Sequence, residues 1–324
     1  MNRRTLLKTA PALILPALAP LSARAATYPI KPVKIIASVQ PGGGVDLVAR
    51  TMAEQLSRSL GKSFVVENMA GGGGVIATQA VARSAPDGYT LMVGYVSTHG
   101  TTPAVRKLPY DAIKDFTPIG MVGGTPNVFV VPTNSEFKTL KQLLAYAHAN
   151  PAKLSFGSAG LGSLTHLVME QFKLAASFFA VHVPYRGIGP AITDLIGGQT
   201  QIMFPGLAAA LPHIRSGKLR PLAITGAKRH ALLPDIPTFE ENGFKGFNAL
   251  QWYGIVGPAK IPADIVTLLN GEMNKALAQP ELRQRLSSEA LDPLPMSPNE
   301  FGRFIQNEIE RYTTLARERK ITLD

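Results

Sequence analysis

One unit recurs along most of this chain: a short apolar strand, a glycine-rich turn and an amphipathic helix. The first copy places the apolar segment 33–37 before a helix-like segment, in which Val48, Met52 and Leu56 recur every fourth residue. Alternating strands and helices fold into sheets that are covered by helices on both faces. We therefore predict an α/β protein whose sheets are mostly parallel.

Two longer apolar segments, 116–132 and 247–256, interrupt this repeat. The first is long for a single strand, and both are interpreted as crossovers between two lobes. A chain of 324 residues is also long enough for two α/β lobes. We predict a discontinuous lobe 1 of residues 26–124 plus 251–324, and a lobe 2 of residues 125–250. The single tryptophan, Trp252, is predicted to pack near the second crossover.

The first 25 residues have the pattern of a secretory signal peptide. A basic start with Arg3, Arg4 and Lys8 precedes an apolar run that is too short to span a bilayer, and small residues follow at 23–25. Both a general secretion signal and a twin-arginine signal fit this pattern. Because the chain has no cysteine for a lipid anchor, we predict an untethered periplasmic protein.

Composition excludes several classes of function. The absence of cysteine excludes disulfides and zinc–thiolate sites. The formal net charge falls from +11 to +7 when the four basic residues of the signal peptide are removed. No run of five basic residues occurs and aromatic residues make up only 7%, so we predict no nucleic-acid partner.

Four glycine-rich turns, at residues 41–44, 71–74, 158–162 and 187–189, each lie between a predicted strand and helix. Backbone N–H groups at a helix N-terminus attract anions, and ligands of α/β sheets bind beyond the carboxyl ends of the strands. One such turn alone indicates only a tight bend. Four together predict an anion-binding cleft between the lobes.

Two charged side chains leave alternatives open. Asp46 could bind a ligand amine or cap a helix, and Arg186 could bind a carboxylate or form a salt bridge. Motifs for metals, nucleotide cofactors and hydrolases are absent from the sequence, which predicts no enzyme, cofactor or metal. The one catalytic alternative is a serine hydrolase that uses Ser158 or Ser163 with His166.

The chain resembles the Bug-type periplasmic receptors of tripartite tricarboxylate transporters over essentially its whole mature length. The number and order of the matching segments carry this resemblance: PGGGVDLVAR (41–50), EN (67–68), GGGG (71–74), APDGYTL (85–91), FGSAGLGSLTH (156–166), VPYRG (183–187), GKLR (217–220) and PTFEE (237–241). It implies a type II periplasmic-binding-protein fold that captures a small carboxylate by domain closure. It also implies a monomer that delivers its ligand to membrane permease subunits. The alternative function, a ligand-sensing module for a signalling receptor, would use the same capture site, so the sequence leaves this alternative open.

The resemblance also implies which residues line the site. Two loops, 40–43 and 158–160, would hold a ligand carboxylate, and segments near residues 97–98, 185–187 and 204–205 would line the rest. The full predicted set is Gln40, Pro41, Gly42, Gly43, Asp46, Ser97, Thr98, Ser158, Ala159, Gly160, Ser163, Tyr185, Arg186, Gly187, Phe204 and Pro205. The family often has aspartate where this chain has Gln201 and Pro205. An aspartate at the position of Pro205 would suit a ligand amine or amide, and its loss there favours a plain carboxylate or an aromatic acid over an amino acid.

Overall fold

A computed structural model describes residues 28–42 and 44–321 of the chain. The predicted signal peptide and Gly43 lie outside the described residues. The strands are β1 (Val33–Ala37), β2 (Phe64–Asn68), β3 (Thr90–Tyr95), β4 (Phe116–Pro126), β5 (Val128–Pro132), β6 (Ser155–Ser158), β7 (Val181–Pro184), β8 (Ile202–Met203), β9 (Leu219–Ile224), β10 (Leu250–Pro258) and β11 (Asp292–Pro293). The helices are α1 (Gly44–Leu60), α2 (Val75–Ala82), α3 (Thr102–Val105), α4 (Leu140–Ala149), α5 (Leu164–Ala175), α6 (Ile188–Ile196), α7 (Leu207–Arg215), α8 (Ala263–Ala278), α9 (Pro280–Ser288) and α10 (Pro298–Arg319).

The strands form two sheets, which confirms the predicted α/β class. The first has the order β11-β4-β10-β3-β1-β2 and the second the order β7-β6-β8-β5-β9. The prediction of mostly parallel strands is wrong in detail. Strands β1, β2 and β3 are parallel, as are β6, β7 and β8, whereas β4, β5, β9, β10 and β11 pair antiparallel with their neighbours. The chain enters β5 and β10 directly after crossing from one sheet to the other, and these two strands run opposite to the parallel strands of their sheets.

The two crossovers run side by side. Strand β4 ends in the first sheet and β5 begins in the second, with Asn127 alone between them. The backbone N–H of Asn127 donates to Thr225 Oγ1 at 2.8 Å, and the N–H of Thr225 donates back to the Asn127 carbonyl oxygen at 2.8 Å. The Thr225 hydroxyl in turn donates to the carbonyl oxygen of Ala249 at 2.7 Å, so both crossing segments are tied together. The lobe boundaries at residues 124 and 250 stay a prediction.

Helices cover both faces of the first sheet. On one face, apolar side chains of β1 and β3 pack against α1 and α8, and on the other face α10 packs over β4 and β10. Trp252 on β10 is fully buried in the second of these layers, and its Nε1–H donates to Glu308 Oε2 at 3.1 Å. The prediction that Trp252 packs near the second crossover is confirmed.

The second sheet has an aromatic core. Phe129, Phe172, Phe204, Phe239 and Phe247 are all buried and pack edge-to-face or stacked, with ring centroids 4.6–6.5 Å apart. Such pairs each contribute about 0.5–1.5 kcal/mol beyond the burial of their area. The ring of Phe204 therefore stabilises the interior of the second sheet.

Helix α5 joins the two halves of the molecule. Its residues Val168, Met169 and Phe172 pack in the core of the second sheet, whereas Leu164 and Leu167 pack in the layer that contains Trp252 and α10. A helix that contributes to two cores has its position fixed by both.

A buried ion-pair cluster reinforces the contact between α5 and α10. The carboxylate of Glu170 accepts from Lys173 Nζ at 2.6 Å and from an Arg319 Nη at 2.8 Å. Burial acts to raise the pKa of Glu170, but the bonds from Lys173 and Arg319 outweigh it, so the pKa lies below its usual value. Glu170 is therefore a charged anchor between these two helices.

Candidate functional site

The loop that follows β1 is held by Asp46. This residue lies in the first turn of α1, and its carboxylate accepts from Gly42 N–H at 3.0 Å, Arg50 Nε at 2.9 Å and Asn68 Nδ2 at 2.8 Å. Burial acts to raise its pKa, whereas these hydrogen bonds lower it, and the net shift is downward. The Asp46 carboxylate, although part of α1, thus holds the preceding loop in place. Its hydrogen-bond donors all come from the protein, and they occupy the positions that a ligand amine would need.

The glycine turn at residues 71–74 packs on the first sheet at the carboxyl ends of β1 and β3. All four glycines have positive φ, and Gly74 directly precedes α2. A Cβ atom on Gly74 would lie 2.7 Å from Thr98 Cγ2 and 3.3 Å from Ser38 Oγ. Glycine is needed here because the α2 N-terminus packs directly on the segments that follow β1 and β3.

The segment after β3 forms a π-helical turn, Ser97–Thr101. The hydroxyl of Thr98 donates to the Tyr95 carbonyl oxygen at 3.2 Å and lies 2.9 Å from His99 Nδ1. Thr98 is buried, Ser97 is half-buried, and Gln40, Pro41 and Gly42 are exposed. The predicted site residues that follow β1 and those that follow β3 therefore lie at the same edge of the first sheet. Thr98 supports the π-helical turn there.

The loop after β6, residues 158–163, uses most of its amides internally. Ala159 N–H donates to Thr165 Oγ1 at 2.8 Å, Gly160 N–H to Ser158 Oγ at 3.1 Å, and Gly162 N–H to His166 Nδ1 at 3.2 Å. Neighbouring polar side chains thus accept from three amides of this turn, and these three are not available to a ligand.

The start of α5 nevertheless offers donors to an anion. Ser163 caps the helix: its Oγ accepts from His166 N–H and donates to the Gly160 carbonyl oxygen at 2.7 Å. Within residues 28–42 and 44–321, the amides of Leu161, Leu164 and Thr165 make no hydrogen bond. Two of these belong to the first turn of α5, where the helix dipole adds positive potential.

The loop after β7 is bonded to the loop after β6. Tyr185 N–H donates to the Ser158 carbonyl oxygen at 3.1 Å, and Gly187 N–H to that of Ala159 at 3.2 Å. The Tyr185 hydroxyl donates to Asp194 Oδ2 at 2.8 Å. Arg186 between them is exposed and has no hydrogen bond or ion pair with any other residue that the structure describes. The salt-bridge alternative for Arg186 is thus not seen, and its charge remains uncompensated.

The predicted site residues thus form two sets, one beyond each sheet, and α5 contacts the π-helical turn between them. Phe204 and Pro205 contribute differently. The Phe204 ring is in the aromatic core, and Pro205 is buried with its carbonyl oxygen accepting from Val128 N–H at 2.9 Å. Gln201 lies immediately before β8, at the end of that strand opposite the loops, and its Oε1 accepts from Ser155 N–H at 2.8 Å.

The serine pairs expected for a hydrolase do not form. Ser158 is fully buried, and its Oγ lies 2.7 Å from His182 Nε2 instead of bonding to His166. Sequence reasoning missed His182 because the pairing register of β6 and β7, which sets His182 beside Phe156, cannot be read from either strand alone. It also missed Thr165, although a hydroxyl residue just inside a helix N-terminus is a usual acceptor for loop amides.

Comparison with known proteins decides the family. The sequence pattern of the tripartite tricarboxylate transporter family receptor matches residues 48–321. The chain belongs to this receptor family. It is therefore a periplasmic solute-binding receptor and not an enzyme, which confirms both expectations and excludes the hydrolase alternative.

Relatives match the receptor over nearly its whole length. Protein BugT from Bordetella pertussis is 37% identical, with 93% of this chain and 92% of the relative covered. The R. palustris protein Rpa4515, solved with adipate, is 33% identical with a TM-score of 0.85, covering 91% and 99%. MatC from Rhodopseudomonas palustris, solved with bound malate, is 32% identical with a TM-score of 0.80, covering 89% and 99%. Across the described part of the receptor, no helix has the length and apolarity needed to cross a membrane.

Proposed function

We propose that this receptor captures a small carboxylate in the periplasm and delivers it to the membrane permease of a tripartite tricarboxylate transporter. The observation that carries the proposal is the uncompensated cation Arg186, which lies beside the loop at the N-terminus of α5. Two similar receptors hold adipate and malate, which are both carboxylates. An exposed guanidinium next to helix N–H groups is a suitable receptor for such an anion.

The carboxylate would be held by two kinds of donor. The amides of Leu161, Leu164 and Thr165 provide N–H groups at the positive end of the α5 dipole, and Arg186 provides a planar pair of N–H donors. No acidic group among the described site residues is free to bind an amine, because Asp46 already accepts three hydrogen bonds. The site therefore favours a plain carboxylate over an amino acid.

Capture would proceed by closure of the two predicted lobes, 26–124 plus 251–324 and 125–250. The exposed loop at Gln40, Pro41 and Gly42 would approach the loop at residues 158–160, so that the ligand is gripped from both sides. Closure of this kind excludes water and strengthens each charge-assisted hydrogen bond. The closed form then presents one defined surface to the permease.

A thermal-shift screen of the mature protein, beginning at Ala26, tests the proposal. The panel contains mono-, di- and tricarboxylates, including adipate and malate, together with aromatic acids and amino acids. A ligand that binds only the folded protein adds about 2.7 kcal/mol of stability at 100 times its Kd. We expect a rise in Tm with at least one plain carboxylate, confirmed by calorimetric titration. A response to amino acids alone would overturn the assignment of the ligand class.

A further inference from the structure

A stacked pair of histidines lies directly beneath the loop after β6. The rings of His166, on α5, and His182, on β7, are nearly parallel at 7°, with centroids 4.0 Å apart. Phe156 on β6 stacks against His182 at 4.7 Å and 14°. Three different elements thus meet in one group of rings, and packing fixes each ring in a single orientation.

Both histidines bond to the loop. The ring of His166 accepts the Gly162 N–H at Nδ1, 3.2 Å away. His182 Nε2 lies 2.7 Å from Ser158 Oγ, which itself accepts the Gly160 N–H at 3.1 Å. Two amides of the loop therefore connect to the histidine pair, one directly and one through a serine hydroxyl.

The bond from Gly162 requires a neutral His166 ring. A protonated imidazole has no acceptor nitrogen, so His166 can accept from Gly162 only when its Nδ1 is unprotonated. Burial is the main cause that lowers the pKa of His166 to about 4 and that of His182 to about 3. The charged groups that face the pair are Glu170, whose Oε1 is 4.0 Å from His166 Nε2, and its partners Lys173 and Arg319. Both rings are consequently neutral at pH 7.

We propose that His166 and His182 are positioning residues for ligand capture. They hold residues 158–162 in the conformation that leaves the amides of Leu161, Leu164 and Thr165 directed outward as donors. The histidines do not touch the ligand in this scheme. The consequence for affinity rests on the proposed carboxylate function, whereas the support of the loop itself does not.

Hydrogen exchange of the ligand-free mature receptor at pH 7.5 tests the support directly, read by mass spectrometry on peptides that cover residues 156–168. His182→Phe keeps a ring in the stack but removes the nitrogen that faces Ser158. We expect about tenfold faster exchange of the loop amides, the factor typical of one lost hydrogen bond. His182→Gln, which restores a polar atom within reach of Ser158, should recover most of the protection. His213→Phe, at a half-buried histidine on α7, is the matched control.

A second readout addresses ligand capture. The apparent Kd rises in inverse proportion to the fraction of time for which the loop is competent to bind. We expect the Kd for adipate or malate, whichever stabilises the wild-type protein, to rise in His182→Phe, by up to about tenfold where the loop loses its protection completely, and to stay unchanged in His213→Phe.

The outcomes separate the two proposals. Unchanged exchange in His182→Phe would overturn the positioning role, as would equally faster exchange in peptides of α7 and α8, because that result indicates general destabilisation. Faster exchange confined to the loop supports the role. If the loop responds in this way but no carboxylate binds the wild-type protein, the proposed function fails while the support of the loop stands.

Discussion

Mild acid should destabilise this receptor through His99. The residue is fully buried in the π-helical turn behind Thr98, its ring packs edge-on to Phe116 at 4.7 Å, and its Nε2 has no hydrogen-bond partner among the described residues. Burial lowers the pKa of His99 from 6.5 to about 3. The unfolded chain therefore binds a proton on this ring between these two pH values, whereas the folded protein does not.

The sign and size of the effect follow from this difference. Stability rises with pH wherever the unfolded state binds more protons, so the contribution is complete above pH 6.5 and is lost as the pH falls towards 3. At pH 5 the difference amounts to about 2 kcal/mol, and at pH 4 to about 3 kcal/mol, at 1.36 kcal/mol for each pKa unit. The buried rings of His166 and His182 add losses of the same sign.

The measurement compares wild type with His99→Gln. Urea unfolding at pH 7.5 and pH 5 gives the free energy of unfolding at each pH, and the difference between the two pH values cancels any destabilisation by the substitution itself. We expect this difference to be about 2 kcal/mol smaller in the variant. Equal losses in both proteins would refute the assignment of a buried, neutral His99 and would shift the acid sensitivity to other groups.

Three further predictions concern charges. Arg186→Gln should raise the Kd for a bound carboxylate by about 10- to 100-fold without a change in Tm, measured by calorimetric titration, whereas Lys218→Gln at another exposed cation should change neither. Asp46→Ala removes the acceptor of three hydrogen bonds and should lower the free energy of unfolding by about 3 kcal/mol in urea titrations. Glu170→Gln should cost about 3–5 kcal/mol because it leaves the buried Lys173 unpaired, and adding Lys173→Met should recover much of that loss in the same assay.

Much of the fold could be predicted because each element carries its own periodic pattern. The bounds of α4, α8 and α10 follow from the spacing of their apolar residues and from the Ser, Thr or Pro residue that precedes or begins each one. The orientation of the strands could not be predicted in this way. A strand such as β10 has the same apolar composition whether it runs parallel or antiparallel, and only its partners decide.

The candidate site shows the same limit. Glycine-rich turns and Arg186 are local signals, and the sequence alone marked them. The acceptors that occupy the loop amides come from elsewhere: His182 reaches Ser158 from another strand, and Asn68 reaches Asp46 across 22 residues. Such contacts depend on strand register and helix packing, which single-sequence patterns do not encode.

The position of β10 has a consequence for how the receptor is made. This strand, from residues 250–258, lies between β3 and β4, which leave the ribosome more than a hundred residues earlier. Until residue 258 has been synthesised, both earlier strands have an unpaired edge, which is the kind of surface that promotes aggregation. A truncated product would keep those edges permanently. The late strand thus makes synthesis of residues 250–258 a condition for a first sheet without exposed strand edges at β3 and β4.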